Sequence, residues 1–337
     1  VRGANVSDRR PLPLLPIAIA AAVFVVVPLG LIAFDSGYFF RLAIVTLIFS
    51  ILALSMQLIT GVAGLLSLGH AAIYGVGAYT AAILSTRLGL DALLTVPLSG
   101  IVSGLLGIAL ALPTMRLVSI YFAVATLGLG EMIYVTLLNW VSFTQGPLGI
   151  GEIPPLRPLG IDLSGPLATY LAVAFVTAIA AVIVHRCAHS YYGNALRAVR
   201  EDDQCADAMG LNVVRLKIEV FAIACFLAGI AGALWAHTTG YVNPGDFRFA
   251  ESILILAMVV VGGLGSIPGA IIGSALLLLL PEALRAIGEV RILMVGVVMF
   301  LCILFLPKGL FGEVSALALA RRQFGAAWQP ERGLGWR

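Results

Sequence analysis

The chain is a succession of long apolar runs cut by short polar or glycine-rich breaks, and the runs have the length of bilayer-spanning helices. Ten such runs are read: Leu12 to Phe34, Leu42 to Ile59, Leu65 to Thr86, Ala92 to Leu112, Leu117 to Leu138, Leu167 to Val184, Ile218 to His237, Ser252 to Gly265, Gly269 to Arg285 and Ile292 to Leu306. The eighth is short and runs into the glycines Gly262, Gly263 and Gly265, which predicts a tilted or broken crossing. Two glycine-rich interruptions, Gly61 to Ala78 and Gly262 to Ala275, predict either close helix packing or irregular backbone beside a pathway. Small residues four apart, Gly265, Gly269 and Gly273, or Gly100 and Gly104, let helix backbones approach closely in lipid.

One long polar stretch interrupts the apolar pattern, Tyr191 to Lys217. Asn194 can cap a helix running to Arg200, and the acidic trio Glu201, Asp202 and Asp203 suits the N-terminal end of a second short helix. Gly210 can end that helix in the left-handed conformation. The small residues Ala206, Ala208 and Gly210 make this a compact knob; an ordinary solvated loop is the plainer alternative.

Composition fixes the class. Charged residues are 11% and hydrophobic residues 61% of the 337, with a mean hydropathy of +1.06, against the roughly one-quarter charged content of a soluble domain. The expected architecture is an all-α polytopic membrane protein of about ten spans in one membrane domain. Its parts are a cytoplasmic segment 1–11, a membrane region 12–306 carrying a cytoplasmic loop 188–217, and a cytoplasmic tail 307–337. Arg2, Arg9 and Arg10 precede the first run, so both termini are expected in the cytoplasm, and most of the 20 Lys and Arg then fall on that side. No cleavable signal is read ahead of the first run. The four cysteines lack metal-ligand spacing, so neither a disulfide nor a metal site is expected. Nucleic-acid binding has no support.

Ionisable and polar residues within the runs are the candidate chemistry. Glu131, in TLGLGEMIY, is the only carboxylate well inside a run, and such a group requires a bundle interior, a cavity or a partner. His70 is read about two turns into its span, as a packing residue or a ligand. Gln57, Ser67 and Thr126 can supply neutral polar contacts. There is no GxxxxGK[ST] phosphate loop, nucleophile elbow or HExxH pair, so no catalytic residues are assigned and ATP is not expected to bind this chain.

The run RAVREDDQCADAMGLNVVRLK and the segment FAIACFLAGIAGALWAHTTGYVNPGDFRFAESILILAMVVVGGLGSIPGAIIGS resemble the LivM-type permeases of branched-chain amino-acid ABC importers. GVAGLLSLGHAAIYGVGAYTAA, YFAVATLGLGEMIYVTLLNW and LPKGLFG agree with the same family, so the resemblance covers about Gly61 to Gly312. It implies that the polar stretch is a coupling loop by which ABC permeases dock onto an ATPase. Gly193, Arg197, Arg200, Glu201, Ala206 and Gly210 occupy positions of that loop pattern: the glycines set bends, Ala206 permits contact, and the charges can pair with the ATPase. It also implies a LivH-type second permease, two ABC ATPase subunits that bind the ATP, a periplasmic substrate-binding protein, and a bacterial inner membrane whose lipid surrounds the spans. The chain departs from the family at Leu65, where a glutamine is common, and at Gln145, Gly146, Pro147, Leu148, Gly149, where Gly-Gly-Pro-Asn-Gly is common. Urea, short-amide and small-carboxylate importers use similar permeases and stay open as alternatives. A stand-alone secondary transporter is the alternative from another class.

Overall fold

A computed structural model describes residues 37–157 apart from 116 and 118, residues 165–284, and positions 296, 297 and 300. The expected first span, Leu12 to Phe34, lies outside the described residues, as does nearly all of the tenth, Ile292 to Leu306. Each of the other eight expected spans corresponds to a helix. These are α1 (Gly37–Met56), continued by a π-helical turn Gln57–Val62, α2 (His70–Leu88), α3 (Ala92–Thr114) and α4 (Ser119–Asn139). After a four-residue helix α5 (Val141–Thr144) come α6 (Pro166–Ala188), α7 (Tyr191–Glu201), α8 (Asp203–Ala208) and α9 (Val213–Thr239). The series closes with α10 (Phe249–Gly262) and α11 (Ile267–Ala283). Two isolated residues, Ile150 and Val242, form an antiparallel bridge, and no β-strand occurs among the described residues. The protein is an all-helical, multi-pass membrane protein, with five described helices long and apolar enough to cross a bilayer.

A helix that is apolar all round has no solvated face and belongs inside a bundle or in lipid. Both outcomes occur here. The helix of α1 with its π-turn and the helix α9 are mostly buried inside the chain, whereas α3, α4 and α6 present most of their surface outward. Leu105, Val124, Phe175 and Val182 are among the large side chains on that outer surface.

Lipid offers no hydrophobic drive between helices, so close contact depends on small residues. At the crossing of α2 and α9, a Cβ on Gly77 would stand 2.4 Å from the carbonyl oxygen of Gly229, and one on Gly232 would stand 2.2 Å from that of Tyr74. On the opposite face of α9, α3 accepts side chains into its glycine ridge, where a Cβ on Gly100 would meet Phe226 at 2.8 Å. Gly104 makes ordinary contacts with α9, the nearest at 3.5 Å. The hairpin α10–α11 is tighter still: a Cβ on Gly273 would lie 2.0 Å from the carbonyl oxygen of Met258.

The described connections gather at two ends. At one end Arg87 donates to the carbonyls of Ser142 and Phe143 at 3.1 and 2.9 Å, and the Ile150 and Val242 backbones pair. His237 closes this end. Its ring bonds the Thr95 hydroxyl at 2.7 Å through Nε2 and the Pro154 carbonyl at 2.8 Å through Nδ1, tying the connection after α4 to α3 and α9. At the other end the polar stretch 189–212, the break after α1 and the break between α10 and α11 lie together. Successive helices therefore alternate direction as the apolar pattern predicts.

Three local expectations are corrected. The third span does not begin at Leu65: residues 63–69 are non-helical and α2 starts at His70, so His70 opens the helix instead of lying two turns inside it. Asn194 does not cap α7, because the Ser190 hydroxyl accepts from the Gly193 N–H at 3.3 Å one turn earlier. The eighth span stops at Gly262, since Gly263 takes φ +116, a conformation costly for residues with a Cβ.

Candidate functional site

The polar stretch folds as two short helices set almost end to end. In α7, Gly193, Leu196 and Val199 are buried at helical spacing while Asn194, Ala198 and Glu201 are exposed, so one face packs and the other is solvated. Gly193 lets α7 fold back on α6, because a Cβ there would stand 2.3 Å from the Ala188 carbonyl oxygen. Asp202 then caps α8, its carboxylate accepting from the N–H groups of Gln204 and Cys205 at 2.8 and 2.9 Å. The Cys205 N–H foremost, then that of Gln204, hold this carboxyl below its ordinary range. The cap stays charged and in place across neutral pH, and its contribution is lost only as pH falls through that lowered value.

Gly210 closes α8 with φ +87, and the Leu211 N–H reaches back to the Ala206 carbonyl at 3.1 Å. Ala206 is 2% exposed and packs inside the knob. Arg197, half-buried at the edge of the solvated face, donates to Asn194 Oδ1 at 3.2 Å; Glu201 ends α7 in solvent. Arg200 differs from both. Its guanidinium donates 2.5 Å to the carbonyl oxygen of Gly61 in the π-turn. Behind the knob, Lys217 at the start of α9 is buried and ion-paired with Asp203.

The break after α1 holds two of the neutral polar candidates, Gln57 and Ser67, and Thr126 of α4 packs against it. Gln57, 1% exposed, donates through Nε2 to the Gly263 carbonyl at 3.3 Å, joining the two glycine-rich interruptions. The His70 Nε2 and the Ser55 hydroxyl are 2.6 Å apart. Thr126 accepts from the Leu68 N–H at 3.1 Å and donates to the Ala123 carbonyl at 2.9 Å, and the Ser252 hydroxyl accepts from the Ala71 N–H at 3.0 Å. Thr126 thus satisfies an N–H of the non-helical residues 63–69, and Ser252 one from the first turn of α2, neither of which has a helical partner. Ser67 borders a cavity of about 10 Å³ with Gly69, Thr114, Thr126 and Phe221, room for about one water.

Glu131 stands apart from this cluster. It is exposed near the middle of α4, on a face shared with Val124, Gly128 and Val135. One turn further along, the Tyr134 ring lies under the Arg248 guanidinium, 5.8 Å from its centroid. No group of three or more His, Cys, Asp or Glu gathers as a metal site among the described residues.

The family model for the branched-chain amino acid transport system permease component matches residues 38–307. The chain belongs to this permease family. The permease is 35% identical over 292 residues to the high-affinity branched-chain amino acid transport system permease protein LivM of Salmonella typhimurium, covering 80% of this chain and 69% of that protein. It is 26% identical over 291 residues to LivH of Escherichia coli K12, covering 79% and 91% respectively. BraD of Pseudomonas aeruginosa matches at 26% over 288 residues, 79% of this chain and 92% of that protein. No solved structure matches the permease. The matched span takes in both glycine-rich breaks, Glu131 and the entire knob. Neither Arg200's inward turn nor the His237 staple is legible in the sequence: each residue bonds a backbone carbonyl far along the chain, and His237 a distant hydroxyl as well.

Proposed function

We propose that this chain is the LivM-like permease subunit of an ATP-driven importer of branched-chain or other hydrophobic amino acids in a bacterial inner membrane. The family match across residues 38–307 carries this reading. A LivH-like permease supplies the other half of the pathway, two ATPase subunits bind and hydrolyse ATP, and a periplasmic binding protein delivers substrate. The similarity to both LivM and LivH supports the pairing, since two related chains can close one pathway between them. The full count is about ten spans with both termini inside, which sets the knob within 188–217 in the cytoplasm.

The solvated face of α7 and α8, with Arg197 and Glu201, is the ATPase dock; the fixed bends at Gly193 and Gly210 make it stiff enough to be moved as a unit. Glu131 lines the side of α4 that meets the second permease and the pathway. A carboxylate at that depth is costly against lipid and requires water, a partner or a charged substrate.

Uptake of radiolabelled leucine by cells expressing the whole transporter, with and without this chain, tests the reading. Deletion should abolish uptake, and isoleucine and valine should compete. Loss of urea or amide uptake with leucine unaffected would move the substrate to that alternative. Substrate movement by the purified chain alone in liposomes under an ion gradient would replace the ABC mechanism with a secondary transporter. In the same assay Glu131→Gln should lower leucine uptake about tenfold while the complex still assembles; uptake at the parental level would remove Glu131 from the pathway.

A further inference from the structure

We propose that Arg200 is a positioning residue: it carries movement of the knob into the membrane interior by holding the π-helical turn at the end of α1. The proposal rests on the reading of the knob as the ATPase dock. Arg200 sits one residue before the end of α7, where displacement of that helix is felt directly, and its Nη1 donates 2.5 Å to the Gly61 carbonyl. Its aliphatic stem covers Gly64, where a Cβ would stand 2.5 Å from Arg200 Cγ. The contact is therefore both polar and steric, and it requires a residue without a side chain beneath the arginine.

From Gly61 the contacts continue inward. A Cβ on Gly61 would meet the Gln57 side chain at 2.8 Å and the Gly265 nitrogen at 2.9 Å, so Gly61 is wedged between the turn's own first residue and the α10–α11 break. Gln57 completes the link through its bond to the Gly263 carbonyl. A shift of α7 that draws on Gly61 consequently loads both glycine-rich breaks together.

The element being pulled has a second arrangement within reach. A π-turn carries one residue more per turn than the α-helix it continues, and closing it back to α-geometry re-aims every side chain that follows. Two buried oxygens in this turn, Gln57 Oε1 and Thr60 Oγ1, lack a hydrogen-bond partner in the present arrangement. Such groups raise the energy of this state relative to one that pairs them. Arg200 supplies the opposing hold, a charge-assisted bond to a π-turn carbonyl. Breaking or moving that bond releases the turn.

The test uses the whole transporter in proteoliposomes, with ATPase co-purification, ATP hydrolysis and leucine uptake measured on the same preparations. Arg200→Ala should retain the ATPase subunits and their hydrolysis but lower the uptake per ATP hydrolysed about tenfold. Arg200→Gln, too short to reach Gly61, should read the same drop and serves where the alanine variant is not recovered. Arg200→Lys should regain part of the ratio, because an ammonium can still donate to the carbonyl. Arg197→Ala, on the solvated face, should instead weaken co-purification and leave the ratio of the surviving complexes unchanged. An Arg200→Ala or Arg200→Gln complex that sheds its ATPase subunits, or transports at the parental ratio, overturns the proposal. Full co-purification of Arg197→Ala paired with Glu201→Lys would overturn the docking face and leave the Arg200 result to be read separately.

Discussion

Gly232→Leu should remove most of the folded permease from the membrane. At this position in α9 the missing Cβ faces backbone, 2.2 Å from the Tyr74 carbonyl oxygen and 2.6 Å from the Ala78 nitrogen, so neither neighbour can step aside as a flexible side chain would. Relief requires separating α2 from α9, and α9 is already held on its other face, where a Cβ on Gly229 would strike Ser103 at 2.5 Å. Overpacking of a well-packed core costs about 1–3 kcal/mol when side chains can yield, and a backbone obstacle belongs at the upper end of that range or beyond it. Every 1.4 kcal/mol is about tenfold in the folded population. The detergent-solubilised variant should therefore lose its monodisperse size-exclusion peak and melt well below the parent. Gly128→Leu is the control. On the exposed face of α4 a Cβ at Gly128 meets nothing of this chain within 4 Å, so in the permease purified without its partner subunits the same change of residue type should leave fold and melting untouched. Parental behaviour of Gly232→Leu would mean that the α2–α9 crossing is looser than its geometry implies.

The same contrast explains what was legible in the sequence. Lipid-length apolar runs determine where helices run: eight of the runs each overlap a described helix, five of these helices long and apolar enough to cross a bilayer. Glycine spacing announced close approach, and Gly100 and Gly273 make it. Hydropathy could not separate an apolar helix from apolar irregular backbone, so Leu65, Leu66 and Leu68 were read as span. The Leu65 N–H instead reaches back to the Ile59 carbonyl, that of Leu68 bonds Thr126, 58 residues further on, and that of Ala71 bonds Ser252, 181 residues on. No local pattern encodes such partners. Charge was misleading in the same way: Arg197, Arg200 and Glu201 look alike as knob charges, but only Arg200 turns inward to a carbonyl 139 residues distant. The π-turn has no signature in residue type: the apolar run continues through its first half to Ile59 without a break at Gln57.

Asp203→Ala should loosen the knob and release the ATPase subunits, the second large effect. Lys217 lies at the root of α9 with a side chain 7% exposed, and its ammonium is paired with the Asp203 carboxylate, itself 51% exposed. Residues of opposite charge 14 apart are brought together only because α8 folds back over the start of α9. The pair therefore reports, and helps fix, the angle at which the knob sits beneath the membrane region. Breaking a buried ion pair from one side leaves the other charge without compensation, a loss of about 3–5 kcal/mol when both are buried. Here half of the carboxylate is in solvent, which lowers the expectation to about 1–3 kcal/mol. The loss falls on the knob and not on the helical core, since neither residue belongs to the hydrophobic cluster that buries α1 and α9. The variant should thus reach the membrane and keep its thermal midpoint, yet co-purify fewer ATPase subunits and show protease cleavage within 201–212. Replacing both residues, Asp203→Ala with Lys217→Met, removes the stranded ammonium and should restore protection and docking in part. If the single variant were as protected as the parent, the knob would be held by the Leu196 and Val199 packing and the Arg200–Gly61 bond, and the ion pair would be incidental to its position.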